Sequence, residues 1–234
     1  MSWSTMQPFS VALNDALSSY NWAEARTLCL GLIRQTEQEL TPCPAADAEA
    51  ILAALRKKRR FELAAPMAEA FIVSGQNSPK VRRQYAQSLI EQGLFVASEY
   101  VLQVLSQEAF KATGEAAEAH GLLGRIYKQR YIAYDAKDST AKRALFERAL
   151  AEYLQVYRLS PSRYNSHGIN AAALLRRGQR DGLSMAHCPD ARAIAMDILQ
   201  LDPIRYASAS STSFDLATRL EVMIALGEGS PTRA

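Results

Sequence analysis

Leu159-Ser-Pro-Ser-Arg-Tyr164 recurs as Leu201-Asp-Pro-Ile-Arg-Tyr206, a spacing of 42 residues. In each copy a leucine that can end a helix is followed by a proline that cannot continue it. A unit closed and reopened at a fixed interval is the mark of a repeat architecture, whose units cannot bury their apolar faces alone. The unit itself is helical. From Ala144 to Tyr157, Leu145, Ala149, Tyr153 and Val156 fall on one stripe. Lys142, Glu147, Arg148 and Glu152 fall elsewhere, with Arg148 and Glu152 spaced for an i,i+4 ion pair. No stretch of strand length alternates with a period of two.

Working outward, the same periodicity predicts helices in pairs. The first pair is Met6–Ser19 and Trp22–Glu39, closed by Thr41-Pro42-Cys43-Pro44. Ala45–Lys57 and Glu62–Ser74 follow, closed by Gly75-Gln76-Asn77-Ser78-Pro79. Then come Val81–Gln92 with Phe95–Ser106, Glu115–Tyr134 with Ser139–Leu159, and Ile169–Arg177 with Pro189–Leu201. A last helix, Ser213–Leu226, has no partner in the sequence. Pro66 fits if its helix starts near Glu62, because N–H groups of a first turn have no acceptor. Small residues recur where helices must approach: Ala86 and Gly124 in first helices, and Ala25, Ala64, Ser98, Ala149 and Ala191 in second helices. Trp22, Phe61 and Phe95 precede three of these by three positions and can fill the flank of the crossing. The expectation is an all-α solenoid of about five helix pairs plus one unpaired C-terminal helix, in a single domain spanning 1–234. This is the tetratricopeptide pattern in degenerate form.

Composition narrows the function. With 48% hydrophobic and 22% charged residues the chain is not disordered. No apolar run reaches the roughly 18 residues of a membrane helix. Met1–Ser10 has no basic region ahead of an apolar stretch, which predicts no signal peptide and a cytoplasmic location. Cys29, Cys43 and Cys188 are scattered and odd in number, which fits a reducing compartment. The three histidines, His120, His167 and His187, predict no metal site. G-x-x-x-x-G-K-[ST], H-E-x-x-H and G-x-S-x-G are all absent, and no cofactor is expected. His187-Cys188 is no dyad, since adjacent side chains point apart and no carboxylate is spaced to orient the imidazole. Cys188-Pro189-Asp190 reads instead as a helix opening, Ser166-His167 as an exposed turn, and His120 as packed near its helix start. No catalytic residue is assigned.

What remains is binding. Arg56-Lys57-Lys58-Arg59-Arg60 is a solvated helix cap or a dock for an acidic peptide or a phosphate backbone. It lacks interleaved aromatics in sequence, and the chain carries 24 acidic residues against a net charge of only +3, which disfavours nucleic acid. Arg125 and Lys128 share one helix face and line a groove or face solvent. Asn170, with Arg176 and Arg177 on the same predicted helix, either holds the turn between repeats or grips a peptide backbone or carboxylate. The unpaired last helix carries Leu220 and Met223 on an apolar stripe, which predicts a contact surface and possible self-association. The expected partner is another protein or peptide.

A more specific resemblance sits in the later units. His120-Gly-Leu-Leu-Gly-Arg-Ile-Tyr-Lys128 is followed by Lys137-Asp-Ser-Thr140, the helix through Ala144 to Tyr157, and Tyr164-Asn-Ser-His-Gly-Ile-Asn-Ala-Ala-Ala-Leu-Leu175. This order resembles the TRAF-binding, central regulatory domain of apoptosis-signal-regulating MAP kinase kinase kinases, most closely within 115–226. Two extra residues stand between Tyr164 and Gly168 relative to the shortest form of the motif. The resemblance implies a tetratricopeptide-like module that acts through protein contacts and regulates a neighbouring catalytic unit, as in a bacterial stand-alone or adaptor relative. The glycine-rich loop, lysine and aspartate motifs of a kinase are absent, so TRAF binding does not carry over.

Overall fold

The computed structural model describes residues 6–38, 42–108, 114–135, 139–183, 186–201 and 223. Among them are ten helices and no strand: α1 (Met6–Ser18), α2 (Trp22–Gln38), α3 (Ala45–Lys57), α4 (Phe61–Val73), α5 (Pro79–Glu91), α6 (Phe95–Glu108), α7 (Gly114–Ala133), α8 (Ser139–Leu159), α9 (Asn165–Arg180) and α10 (Ala191–Leu201). The five predicted pairs are all present. The chain divides into two compact units, Met1–Ala119 and His120–Ala234, with the division inside α7. The predicted last helix and its Leu220 lie outside the described residues, and Met223 is described alone as a half-buried helical residue.

In the first unit each pair packs on itself, α1 on α2, α3 on α4 and α5 on α6. Successive pairs then stack, α1 on α3, α2 on α4 and α3 on α5, which is how a helical-repeat solenoid shares one core among its units. Leu13, Leu17, Leu32, Leu52, Leu55, Met67 and Phe71 fill that core. The small residues read from the sequence stand at the crossings, with Ala25, Ala64 and Ser98 fully buried. The Ser98 hydroxyl also donates to the Ala86 carbonyl across α5 and α6 at 2.9 Å.

The turns share one solution. Asn21, Arg60 and Leu94 each send their N–H back five residues, to Ala16, Leu55 and Leu89, at 2.8–2.9 Å. The residue before each, Tyr20, Arg59 and Gly93, takes a positive φ of 59°, 56° and 77°. This closes the helix end and satisfies its last carbonyls. Where a glycine would be cheap, two of the three turns spend a tyrosine and an arginine.

Pro66 differs from expectation. α4 starts at Phe61, so Pro66 stands beyond the first turn, and the Glu62 carbonyl has no N–H at position 66 to accept. Both residues are exposed, so solvent can hydrate that carbonyl.

In the second unit, α8 packs on α9 and α9 on α10. Glycines set the spacing. A Cβ on Gly124 of α7 would lie 2.8 Å from the Tyr153 ring of α8. One on Gly168 of α9 would lie 2.6 Å from the Tyr157 ring and 3.0 Å from Ile198 of α10. α9 begins at Asn165, earlier than the predicted Ile169, and this overturns the exposed-turn reading of Ser166-His167. His167 is buried, because its ring packs edge-on against Tyr153 and Tyr164, and beside Gly121 of α7. α10 starts two residues after the predicted Pro189, and Asp190 precedes it, its carboxylate accepting from the Arg192 N–H at 3.0 Å.

Candidate partner-binding surfaces

The first surface grows from the turn between α3 and α4. Arg56 and Lys57 end α3, where cations complement the helix dipole. Arg59 takes the left-handed conformation, and Lys58 and Arg60 on either side of it turn toward the preceding repeat, while Arg56, Lys57 and Arg59 stay exposed. Lys58 Nζ then lies 4.5 Å from the Tyr20 ring centre, the Arg60 guanidinium 4.5 Å from Trp22, and the Arg59 guanidinium 5.6 Å from Phe61. The sequence shows no aromatics interleaved with the run and only Phe61 directly after it; the fold adds two more from the preceding repeat. The signal that could have found Tyr20 and Trp22 is their equivalent place one repeat earlier, at the α1–α2 turn. Arg59 reaches Glu91 at 3.5 Å and Arg60 reaches Glu62 at 2.7 Å. Arg59 is largely exposed, so its ion pair contributes little. Arg56 reaches Gln87 at 3.4 Å, and Lys57 and Lys58 have no carboxylate partner among the described residues. The result is a basic edge braced by stacked rings, with its foremost charges facing solvent.

The second surface is in the second unit. Lys128 of α7 donates to the Asn170 side-chain oxygen of α9 at 2.8 Å and lies 5.6 Å from the Tyr153 ring centre. Asn170 also donates to the Ser166 carbonyl one turn back, at 2.9 Å. Two sequence candidates are thus brought together, and Asn170 is engaged within the unit. Arg125 lies on the same helix as Lys128, half-exposed and close enough to influence the Tyr153 hydroxyl. Arg148 donates to the Tyr127 hydroxyl at 2.7 Å and covers its ring at 4.2 Å, while Glu152 meets His120 at 2.7 Å.

Arg177 points elsewhere. It donates twice to Asp181, at 2.9 and 3.1 Å, and the same carboxylate accepts from the Tyr131 hydroxyl at 2.6 Å. Arg176 reaches Gln179 at 3.5 Å. The Tyr131 hydrogen bond, with Arg177 and Lys142 nearby, holds the Asp181 carboxyl below the ordinary carboxylate range. A carboxyl depressed by folding stabilises fully above its unfolded pKa, about 3.9, and that contribution is lost as pH falls through the folded value. Asp181→Asn should therefore flatten the loss of stability below about pH 4. Urea midpoints measured across that range test it, and an unchanged pH slope would show that the tether of α9 to α7 contributes nothing.

The thiols are not poised for chemistry. Burial pushes Cys29 up to about 11 and Cys43 up to about 12. Cys188 is also raised, by burial and by Glu147, the opposite of what a nucleophile needs. Among the described residues no group of three histidine, cysteine or acidic side chains can hold a metal. None of their helices is long and apolar enough to cross a membrane.

Paired helices with small residues at each crossing and a shared turn geometry are the tetratricopeptide arrangement. Residues 60–175 match the family model Tetratricopeptide Repeats-Sensor, TPR-S. The fold is tetratricopeptide-like. The TPR-S match covers just under half of the chain and supports a protein-interaction or sensor role. It takes in Arg125, Lys128 and Asn170, begins at the last residue of the basic run, and ends before Arg176 and Arg177. No curated protein matches the chain.

Proposed function

We propose that the chain is a noncatalytic protein-interaction module with a regulatory or scaffolding role, which engages an acidic segment of a partner protein through the basic edge of its first unit. The observation that carries this is the seating of Lys58 on Tyr20 and Arg60 on Trp22. Holding long cationic side chains in place reduces the entropy they lose on binding a carboxylate. The resemblance of the Gly124–Lys128 region to kinase regulatory domains supports control of an associated effector. Three free cysteines support work in a reducing, cytoplasmic setting.

A second reading, a nucleic-acid adaptor at residues 56–60, is favoured by the same aromatics, since bases stack on exposed rings. Against it, Lys58 and Arg60 already cover a face of Tyr20 and of Trp22. The test is the triple variant Arg56→Glu, Lys57→Glu, Lys58→Glu. Its circular dichroism should be unchanged, since these side chains make no buried contact. Binding of a labelled glutamate-rich peptide should fall by at least about tenfold. Tight binding of single-stranded DNA with a steep inverse salt dependence, lost in the same variant, would replace the protein reading with the nucleic-acid one.

A further inference from the structure

A groove runs along α2 and α4 in the first unit, away from the foremost charges of the basic edge. It is continuous: a section of about 320 Å3 at the N-terminal ends of both helices and one of about 640 Å3 at their C-terminal ends share Ile33 and Pro66. Pro66 and Ala70 of α4 and Ser74 just past its end follow one another at intervals of four, so the wall they form is low. Leu30 and Val73 stand exposed at the rim, Val73 by 81%. From Arg26 to Glu37 the groove follows about 17 Å of α2, some three helical turns at about 1.5 Å per residue.

Its ends carry opposite charge. Arg26, Arg60 and Glu62 lie at the N-terminal end, where Arg60 is paired with Glu62 at 2.7 Å and Arg26 leaves a net positive charge, and Glu37 and Glu69 lie at the other. Neither Glu37 nor Glu69 has a cationic partner among the described residues. An apolar trough three turns long suits an amphipathic helix that inserts anchors at i, i+3, i+4 and i+7. The charges then fix its direction. A helix with acidic residues at its start and basic residues at its end satisfies its own dipole and, lying parallel to α2 and α4, meets the opposite charge at each end of the groove.

We propose that the α2–α4 groove seats an amphipathic helix of a separate partner protein, acidic at its N-terminal end and basic at its C-terminal end. This goes beyond the acidic-segment reading of the basic edge, and the two fail separately, because the groove variants leave Arg56, Lys57 and Lys58 in place. The probes are two synthetic peptides of about four turns with identical composition and the same leucine stripe. One has glutamates in its first turn and lysines in its last; the other has the order reversed. Fluorescence anisotropy with the full chain should show the acid-first peptide binding at least about tenfold more tightly. Glu37→Lys with Glu69→Lys should weaken it by a similar factor. Ala70→Trp should block the trough, and Val73→Glu at the exposed rim, which leaves the core untouched, should weaken binding too. The triple reversal at 56–58 should leave the preference for the acid-first peptide in place. Equal binding of both peptides, saturable binding of neither, or indifference to both Ala70→Trp and Val73→Glu would overturn the proposal. Self-association that Ala70→Trp abolishes, with neither peptide bound, would overturn it in favour of a second copy.

Discussion

Replacing Gly168 by leucine should lower the unfolding free energy by about 1–3 kcal/mol, a fall of several degrees in the midpoint for a chain of this size. The first side-chain carbon alone would sit 2.6 Å from two atoms of the Tyr157 ring and 3.0 Å from the Ile198 methyl. These belong to α8 and α10, on either side of α9, so the helix cannot escape one without meeting the other. Both neighbours are buried, Ile198 completely. Gly124→Leu should act in the same direction through Tyr153, which is also buried. Gly31 is the control. It lies inside α2 with nothing within 4 Å of its would-be Cβ, so Gly31→Ala should raise stability by about 0.5–1 kcal/mol through helix propensity alone. Thermal denaturation of the three variants tests the spacing of the repeat. Gly168→Leu unfolding with the wild type would mean that α8, α9 and α10 are not packed as described.

The fold was legible because a repeat states its own rules several times. Ala25, Ala64, Ser98, Ala149 and Ala191 could be read as crossing residues from recurrence alone, and all are buried. Helix ends were legible where proline or glycine marks them, as at α3 and α8, both found with their predicted bounds. They are not legible where burial decides. Ser166-His167 reads as an exposed turn, yet α9 includes it, and His167 is buried edge-on against Tyr153 and Tyr164. The site was legible in part. Charge density pointed to residues 56–60, but not to Tyr20 and Trp22, about forty positions away. Only the stacking of one repeat on the next brings them together. In the sequence Lys128 and Asn170 are separate candidates, one on a shared helix face and one a polar group at a helix start, and their contact depends on α7 lying beside α9. Pairs that meet between repeats are set by stacking geometry, on which spacing along the chain is silent.

Alkaline pH should unfold this chain earlier than its modest net charge would suggest. Burial pushes the Cys29 thiol up to about 11; burial, reinforced by the negative charge of Asp47, pushes Cys43 up to about 12. In the unfolded chain both titrate near 8.5. A group raised by folding stabilises fully below its unfolded pKa and loses that contribution as pH rises toward the folded value. The loss therefore starts near pH 9 and reaches roughly 2–4 kcal/mol per thiol by about pH 11–12. Tyr131 and Tyr153 are also raised, chiefly by burial, and add a second phase above about pH 10. Against a total stability of about 5–15 kcal/mol, the sum is a large fraction of the whole. Urea midpoints from pH 7 to 11 should fall with a slope that steepens above pH 9. Cys29→Ala with Cys43→Ala should lower the midpoint at pH 7, since two packed side chains are trimmed, yet flatten the slope between pH 9 and 10. Labelling with a thiol reagent at pH 8 supplies a second measure. Cys188, half-exposed, should react first, and Cys29 and Cys43 only as fast as the first unit opens. Parallel slopes for wild type and double variant, together with prompt labelling of all three thiols, would show that Cys29 and Cys43 do not sit in the core of the stacked pairs.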